Sequence, residues 1–427
     1  MLMSKTARVS TSARTRFWWA SAVALLSLAA LASPVYAQPF DNVVTGALDN
    51  FCSRLGGPFG IFTPKPLGPN LARLCPLPAV GPPPQGATSA AGGSVTVDTT
   101  RGAVNEDQRL LLYLKEKREQ ENQPGAPGAS ADSPTSIRGL GVFGSGNFER
   151  FDKDVTRFEP GYTSDNWGFT TGGDYRLDPR LLLGAAFNYS RINGNFDRNG
   201  GDFETDSFGP LLYGSILPMP RLFVDVVAGY ARKHYTVNRA VSATGSGPGF
   251  PLFPTVIGKV LSDTDGNEYL AALHFGYDFH LGNVTIGPRG GVDYKYTTLD
   301  GFRERGSTGL ELVYDPQHQT SLRTTVGAFA SIALSTAIGV LVPQGTFEYL
   351  HEFENNQRAI YFRFSEDFGR RRFRFQTDPP DRDYFNLGGG LVVVLPGGVS
   401  PFINYRALVG YRNQSSHAVN LGFRVEF

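Results

Sequence analysis

The chain of 427 residues has a formal net charge of +1, so it lacks the basic footprint by which nucleic-acid-binding domains are recognised. Beyond an N-terminal apolar stretch, no run of about eighteen apolar residues occurs, which excludes membrane-spanning helices from the rest of the chain. The 51 glycines and 32 phenylalanines instead favour many short strands with belts of aromatic side chains.

The N-terminus has the pattern of a secretory signal peptide. Four basic residues come first: Lys5, Arg8, Arg14 and Arg16. An apolar stretch over residues 17–32 and the small-residue site Val-Tyr-Ala at 35–37 follow. Residues 1–37 are therefore predicted to be a signal peptide that is cleaved between Ala37 and Gln38, so the protein is exported. The alternative is an uncleaved membrane anchor, but the apolar stretch is short for a spanning helix.

Residues 38–103 are rich in proline, glycine and small polar residues, which predicts a short and largely disordered segment. It contains both cysteines of the chain, Cys52 and Cys75. In an oxidising exported compartment this pair predicts a disulfide, which would stabilise by roughly 3 kcal/mol in the chain-entropy model. The alternative is that both thiols are incidental. The segment contains no histidine, so we predict no metal site beside the cysteines.

The stretch 104–118 predicts one isolated α-helix. Good helix formers fill it, with acidic residues in the first turn and basic residues near the end, as the helix dipole favours. From residue 121 to residue 136 the composition returns to proline, glycine, alanine and serine. Residues 104–136 are therefore predicted to be a linker helix of about four turns followed by a flexible arm.

From about residue 137 to residue 427 the hydrophobic pattern has a period of two. In the final stretch, Val419, Leu421, Phe423, Val425 and Phe427 alternate with polar residues or glycine. The same alternation occurs at 269–280, 284–296 and 403–411. One apolar face with terminal aromatics and one polar or glycine face are typical of transmembrane β-strands of about ten residues. The fold class is therefore predicted to be all-β, a transmembrane antiparallel β-barrel.

The turns give the number of strands and the orientation of the barrel. Short turns are predicted at 178–180, 218–220, 281–283, 337–339 and 396–398, and long polar segments at 150–165, 193–204, 238–267, 300–319 and 354–382. Transmembrane barrels have short periplasmic turns and long extracellular loops, and about twelve strands fit between these marks. A soluble β-sandwich is the alternative, but charges of both signs on the inward face weigh against it.

Three stretches in the second half of the chain carry a family resemblance: Pro343–Phe353, Asp383–Gly390 and Val419–Phe427. With their order and spacing, residues 137–427 resemble the β-domain of monomeric autotransporters (type V secretion). The resemblance implies a twelve-stranded barrel threaded by a helix that leads to an N-terminal passenger, and residues 104–120 lie where that helix is expected. It also implies that the last strand is the outer-membrane assembly signal, with Phe427 as its anchor. The passenger, residues 38–103, is unusually short for this family.

A search for catalytic residues gives weak candidates. Residues 38–136 contain neither histidine nor a G-x-S-x-G motif, which argues against a hydrolase in the passenger. His351-Glu352, Asp381 and Asp383 are expected near the outer rim of adjacent strands, where charges lining the pore are the simpler interpretation. The sequence Asp263–Glu268 resembles a calcium loop only superficially, and we interpret it as a turn in an external loop.

One external segment has a composition suited to binding anions. Residues 360–364 and 370–375 both alternate, and they are predicted to form a hairpin that turns near residues 367–369. Its arginines could contact lipopolysaccharide phosphates, and the alternative is an extension that shields the barrel rim.

The sequence thus predicts an outer-membrane autotransporter barrel that translocates or displays its own short segment. It is predicted to have no catalytic, metal-binding or cofactor-binding residues. The alternative is a pore or structural barrel with a periplasmic N-terminal segment. The predicted partners are outer-membrane lipid and lipopolysaccharide, periplasmic chaperones and the barrel-assembly machinery, with no nucleic acid, an unknown surface ligand and a monomeric barrel.

Overall fold

The computed structural model describes residues 68–74, 106–121, 139–156, 158–244 and 255–426. Its helices are α1 (Pro69–Leu74) and α2 (Glu106–Glu121), with a 3₁₀ turn at Asp197–Asn199. The strands are β1 (Leu140–Lys153), β2 (Tyr162–Asp178), β3 (Leu181–Phe196), β4 (Gly201–Met219), β5 (Leu222–Thr244), β6 (Thr255–Tyr277), β7 (Phe279–Leu281), β8 (Val284–Leu299), β9 (Phe302–Arg303), β10 (Leu312–Tyr314), β11 (Gln317–Ile332), β12 (Leu334–Thr336), β13 (Gly339–Glu352), β14 (Ala359–Phe364), β15 (Phe373–Gln376), β16 (Asp383–Val394), β17 (Val399–Val409) and β18 (Gln414–Glu426).

Twelve antiparallel strands close into a barrel, which confirms the predicted fold class. They are β1 to β6, β8, β11, β13, β16, β17 and β18, each paired with the next along the chain. The seam is the pairing of β18 with β1, from Gly141↔Glu426 to Lys153↔Gln414. Closure gives every strand two neighbours, so no barrel strand presents an unpaired edge to lipid.

The two faces of the barrel follow the predicted alternation. On β18, Leu421 and Phe423 are 57% and 52% exposed on the outside, whereas Asn420 and Arg424 on either side of them are buried in the lumen. Aromatic residues such as Trp167, Tyr269 and Tyr294 are exposed on the outer face of other strands. An apolar outer face and a polar lumen are the expected arrangement for a barrel surrounded by lipid. Among the described residues, neither helix has the length and apolar character needed to cross a bilayer.

The connections define two ends of the barrel. All five predicted short turns lie between consecutive strands at one end, here called the short-turn end. The opposite end, the long-loop end, carries the connections after β1, β3, β5, β8 and β13. Three predicted long loops are shorter than expected, because the flanking strands continue into them.

The largest of these differences concerns the hairpin of β5 and β6. Both strands have 23 residues and pair as far as Thr244↔Thr255, so most of the predicted loop 238–267 is strand. Asp263–Glu268 is part of β6, and its interpretation as a turn was wrong. Cross-strand partners explain why this segment is a strand: Asp265 lies opposite His234, and Glu268 forms an ion pair with Lys233 of β5. About ten residues cross a bilayer, so this hairpin extends beyond it.

The other two long loops fold into a small cap. The cap is a four-stranded sheet in the order β15-β14-β10-β9, built from the connections after β8 and β13. The predicted hairpin over 360–375 is confirmed, with Ile360 opposite Phe375 and Phe362 opposite Phe373. An isolated bridge between Leu261 and Arg305 joins the cap to β6.

Candidate functional site

Helix α2 lies in the barrel lumen, as the sequence predicted. Five consecutive residues, Leu110 to Leu114, are all buried, which is unusual for a helix because these positions point in all directions around its axis. Four of them, all except Leu112, form one cluster with inward-facing residues of the barrel wall. Those wall residues are Phe143, Leu182, Ala186, Leu211, Tyr213, Val227, Leu270 and Ala272. The barrel therefore surrounds the helix, and the lumen in this region is filled by apolar contacts.

Asp174 of β2 is the main polar anchor for the helix. Its side chain is fully buried, and it accepts hydrogen bonds from the Tyr113 hydroxyl and from Tyr213 of the wall at 3.1 Å. The ammonium of Lys117 lies 2.5 Å from the same carboxylate and 3.5 Å from Glu426. Since a buried charge is tolerated only with a partner, Asp174 and Lys117 each depend on the other.

Arg118, the next residue of the helix, has its own buried partner. Its guanidinium donates to both oxygens of Asp225 at 2.7 Å, and the hydroxyl of Ser215 donates to Asp225 as well. The same guanidinium lies over the ring of Phe223, 3.6 Å from its centroid. One nitrogen, Nη1, makes both bonds to the carboxylate, and the stacking of a planar cation on an aromatic ring is specific to arginine.

The anchors also give the direction of the helix. Arg109 near its start donates to Asn188 in the middle of β3 at 2.7 Å. Lys117 and Arg118 near its end meet Asp174, Asp225 and Glu426, which lie at strand ends beside the short turns. The helix therefore runs from the long-loop side of the lumen towards the short-turn end, where β1 begins.

Small crevices remain beside the helix. One of them, with room for about one water molecule, lies between the helix and a glycine-rich wall that includes Gly345, Gly388, Gly389 and Gly390. Polar side chains of Lys115, Gln344 and Asn404 also line it. The apolar contacts of the helix are with β1 and β3 to β6, and its other side faces polar side chains and glycines.

The long-loop mouth is closed by a second apolar cluster, here called the mouth cluster. It contains Leu71, Phe151, Tyr162, Phe196, Phe203, Tyr235, Val237, Val241, Val260, Leu299, Phe302, Leu310, Leu312, Tyr314, Ile360, Phe362, Phe364 and Phe375. The barrel strands supply the residues from Phe151 to Leu299, the cap and its connections supply those from Phe302 to Phe375, and α1 supplies Leu71. Burial raises the pKa of Tyr314, and the nearby Glu304 raises it further, so its hydroxyl stays protonated.

Buried ion pairs fix the cap to the barrel. Arg239 of β5 is fully buried and donates two hydrogen bonds to Glu304, one of 2.8 Å from Nε, and a third of 2.8 Å to the carbonyl of Leu310. Lys153 of β1 lies 2.7 Å from Asp378 and 3.2 Å from Glu159. These contacts make the cap an ordered cover and not a set of independent loops.

The weak catalytic candidates have different positions. His351 and Asp383 lie opposite each other on β13 and β16 and are joined by a 2.7 Å hydrogen bond, close to Tyr349. Both face outward, because the odd-numbered residues of β13 and β16 point out of the barrel at this end. Their interpretation as charges lining the pore was therefore wrong. Glu352 and Asp381 face inward, and Asp381 binds Arg412 at 2.6 Å. Among the described residues, no group of three or more His, Cys, Asp or Glu side chains could hold a metal ion.

The remaining predicted site residues are only partly described. Ala37, Gln38, Cys52, Cys75 and Phe427 lie outside the described residues. Val419, Leu421, Phe423 and Val425 belong to β18 and pair with β1 and β17. Sequence reasoning missed Asp174 and Asp225, although both are acidic residues at inward positions near strand ends, opposite the basic end of the predicted helix.

Comparisons with known proteins give a consistent result. The family model described as autotransporter beta-domain matches residues 142–406, more than half of the chain. Outer membrane protein A of Rickettsia rickettsii is 26% identical over 206 residues, which are 47% of this chain and 9% of that protein. Esterase EstA of Pseudomonas aeruginosa is 22% identical over 215 residues, 50% of this chain and 31% of that protein. The chain thus spans less than a third of the length of these curated relatives.

One solved structure has the same fold over most of the chain. The translocator domain of autotransporter NalP from Neisseria meningitidis aligns with a TM-score of 0.53 and 15% identity. The alignment covers 75% of this chain and 98% of that one. At this identity the likeness shows the fold alone.

Proposed function

This chain belongs to the autotransporter β-domain family, and from that premise we propose that it translocates and displays its own short N-terminal segment at the cell surface. The barrel is located in the outer membrane of a Gram-negative bacterium, as the family is. The exported segment in this proposal is residues 38–103, and α2 is the part of the chain that remains in the pore.

The position of α2 is the observation that carries the proposal. Along the chain, α1 contributes Leu71 to the cluster at the long-loop mouth, α2 lies in the lumen, and β1 starts at the short-turn end. Since long loops are extracellular in such barrels, this order supports a path from the periplasm through the lumen to the outside. The buried partners of Lys117 and Arg118 would hold the chain in place once it has passed.

The alternative is a pore or structural barrel whose N-terminal segment stays in the periplasm. A disulfide between Cys52 and Cys75 that formed before translocation would favour it, because a closed loop is difficult to thread through a narrow pore. The contact of Leu71 with the long-loop mouth supports display instead, since a periplasmic segment would not reach that end.

An epitope tag inserted after Gln38 tests the proposal in intact cells. We expect antibody labelling of intact cells and loss of the label after external protease treatment. A periplasmic marker protein that stays unlabelled and uncleaved is the control for membrane integrity. A tag that is reached only after the outer membrane is permeabilised would overturn the display function and favour the alternative.

Catalysis is not part of the proposed function. One relative is called an esterase, so hydrolysis is the competing class, and the outward pair His351 and Asp383 is the described candidate for it. We expect cells with the wild-type protein to hydrolyse esters and peptides no faster than cells that lack it, and His351→Ala and Asp383→Ala to leave that rate unchanged. A loss of hydrolysis in either variant would contradict this.

Membership of the family implies embedding in outer-membrane lipid and insertion by assembly machinery in general. We further propose that three arginines of the hairpin, the exposed Arg370 and Arg374 and the half-buried Arg363, contact lipopolysaccharide phosphates, because guanidinium groups bind phosphate in a bidentate way. Binding of lipopolysaccharide by the purified barrel should weaken when all three are replaced by glutamine. Equal binding by wild type and variant would refute this contact.

A further inference from the structure

Helix α1 is docked on the cap, at the long-loop end of the barrel. We propose that α1 is a latch, by which the exported segment binds back to the outer side of its own barrel. The proposal rests on the proposed function, because α1 must first reach the cell surface. In consequence the N-terminal segment is held on the cap and is not a free tail.

Glu366, in the turn between β14 and β15, is the polar half of the latch. Its carboxylate accepts the backbone N–H of Leu71 at 2.7 Å and the side-chain amide of Asn70 at 2.9 Å. Its backbone carbonyl accepts the N–H of Gly68 at 3.0 Å. One residue of the cap thus makes three hydrogen bonds, to Gly68, Asn70 and Leu71 of the segment. An ionised acceptor makes such bonds stronger than neutral ones.

Leu71 is the apolar half of the latch. Its side chain is completely buried and belongs to the mouth cluster, together with Leu310, Leu312 and Phe364 of the cap. Removal of α1 would expose this part of the cluster to water. The hydrophobic effect therefore favours the docked state.

Gly309, in the connection between β9 and β10, provides the space for α1. Its φ of +80° is a conformation that residues with a side chain rarely adopt. A Cβ atom at this position would lie 2.6 Å from the carbonyl carbon of Asn70 and 2.7 Å from the nitrogen of Leu71. The cap is therefore shaped for close approach of this backbone.

The occupant of the docking surface is a segment of the same chain. Residues 75–105 join α1 to the helix in the lumen, so docking is intramolecular. An intramolecular contact has a high effective concentration, and a weak interaction is enough to keep it formed. The other charged groups beside Glu366 are engaged elsewhere, since Asp367 binds Arg371 and Arg303 binds Ser365.

Crosslinking in intact cells tests the contact. In a Cys52→Ser/Cys75→Ser background, Pro69→Cys with Phe368→Cys should be joined by a short thiol-reactive crosslinker and shift on a denaturing gel, because both positions are exposed, lie beside Gly68 and Glu366, and make none of the bonds of the latch. Pro69→Cys with Asp178→Cys is the control, because Asp178 lies at the short-turn end of the barrel and should give no crosslink. The tag after Gln38 is followed in the same cells.

Protease protection tests the polar half of the latch and, separately, the space that Gly309 leaves for α1. Trypsin added to intact cells should cut after Arg73 about tenfold faster in Glu366→Gln and in Gly309→Ala than in wild type. Glu354→Gln is the control for the first variant, since Glu354 is an exposed carboxylate in the same connection. Gly397→Ala is the control for the second, because Gly397 has a φ of +90° but no neighbour within 4 Å of its Cβ position. Heat-modifiable migration on gels verifies that each barrel is folded.

The outcomes separate the latch from the display function. A reachable tag, a crosslink and faster cleavage in both variants support the latch. A reachable tag without a crosslink, and with cleavage that neither variant alters, overturns the latch but leaves display intact. A tag that is unreachable in intact cells, with no crosslink, overturns display and the latch with it.

Discussion

Asp174 lies in the wall of the lumen, and its side chain is not exposed to solvent. It accepts hydrogen bonds from two tyrosines and forms an ion pair with Lys117. Asp165 on the same strand pairs with Arg150 on the outer face, where both side chains are about half exposed. The chemistry of the two pairs is similar, but the surroundings differ. Exposed ion pairs contribute about 0–1 kcal/mol, whereas the loss of one partner from a buried pair costs about 3–5 kcal/mol.

The comparison gives a prediction for single residues. Asp174→Asn should lower the free energy of unfolding by about 3–5 kcal/mol, because it leaves the Lys117 ammonium buried without a counter-charge. Asp165→Asn should lower it by about 1 kcal/mol or less. Urea unfolding in detergent or lipid measures both. Addition of Lys117→Met to Asp174→Asn should restore part of the loss, and equal effects of the two single variants would contradict the role of Asp174.

Sequence reasoning found the residues whose positions follow from a local pattern and missed those whose partners are distant in the sequence. The outward positions of Leu421 and Phe423 follow from local alternation, so the sequence was sufficient. The partner of Glu268 is on another strand and that of Arg239 is in the connection after β9, and no local pattern indicates either. For this reason Asp263–Glu268 was interpreted as a turn. The hairpin over 360–375 was predicted, but the mouth cluster to which it contributes was not.

At the scale of elements, the cap depends on a few long-range contacts. Four short strands would not be stable alone, and they gain stability from the mouth cluster beneath them. The pair of Arg239 and Glu304 joins the longest barrel strand pair to the connection that holds β9 and β10. Since both side chains are almost fully buried, each requires the other.

The ion pair predicts that a single substitution destabilises the cap and that a second substitution, of its partner, restores stability. Arg239→Met should destabilise the cap by about 3–5 kcal/mol, because it leaves the Glu304 carboxylate buried and unpaired. Arg239→Met with Glu304→Met should be close to wild type, since a hydrophobic pair of similar volume often replaces a buried ion pair. Chymotrypsin cleavage in residues 300–316 measures opening of the cap. A double variant that is cleaved faster than the single one would contradict this account.

At the scale of the whole molecule, the lumen has two barriers in series. Helix α2 fills the lumen near the short-turn end, and the mouth cluster closes the long-loop end. The two barriers share no residue, and different parts of the chain build them. Removal of one should therefore leave the other in place.

This arrangement predicts how ion conductance depends on deletions. In planar bilayers the full chain should conduct little, and deletion of residues 38–121 should increase conductance only modestly. Deletion of the hairpin 357–378 in addition should give a wide, stable pore, because the mouth cluster then loses Phe362, Phe364 and Phe375 from its outer side. A wide pore after the first deletion alone would show that the cap does not seal the barrel.

The occupied lumen also limits how often one molecule can act. A pore that retains part of its own chain, held by buried contacts of Tyr113, Lys117 and Arg118, has no room for a second polypeptide. Under the proposed function, each barrel exports one segment once, without turnover. The surface density of the segment would then equal the copy number of the barrel, and a cell could raise it only by synthesis of more protein.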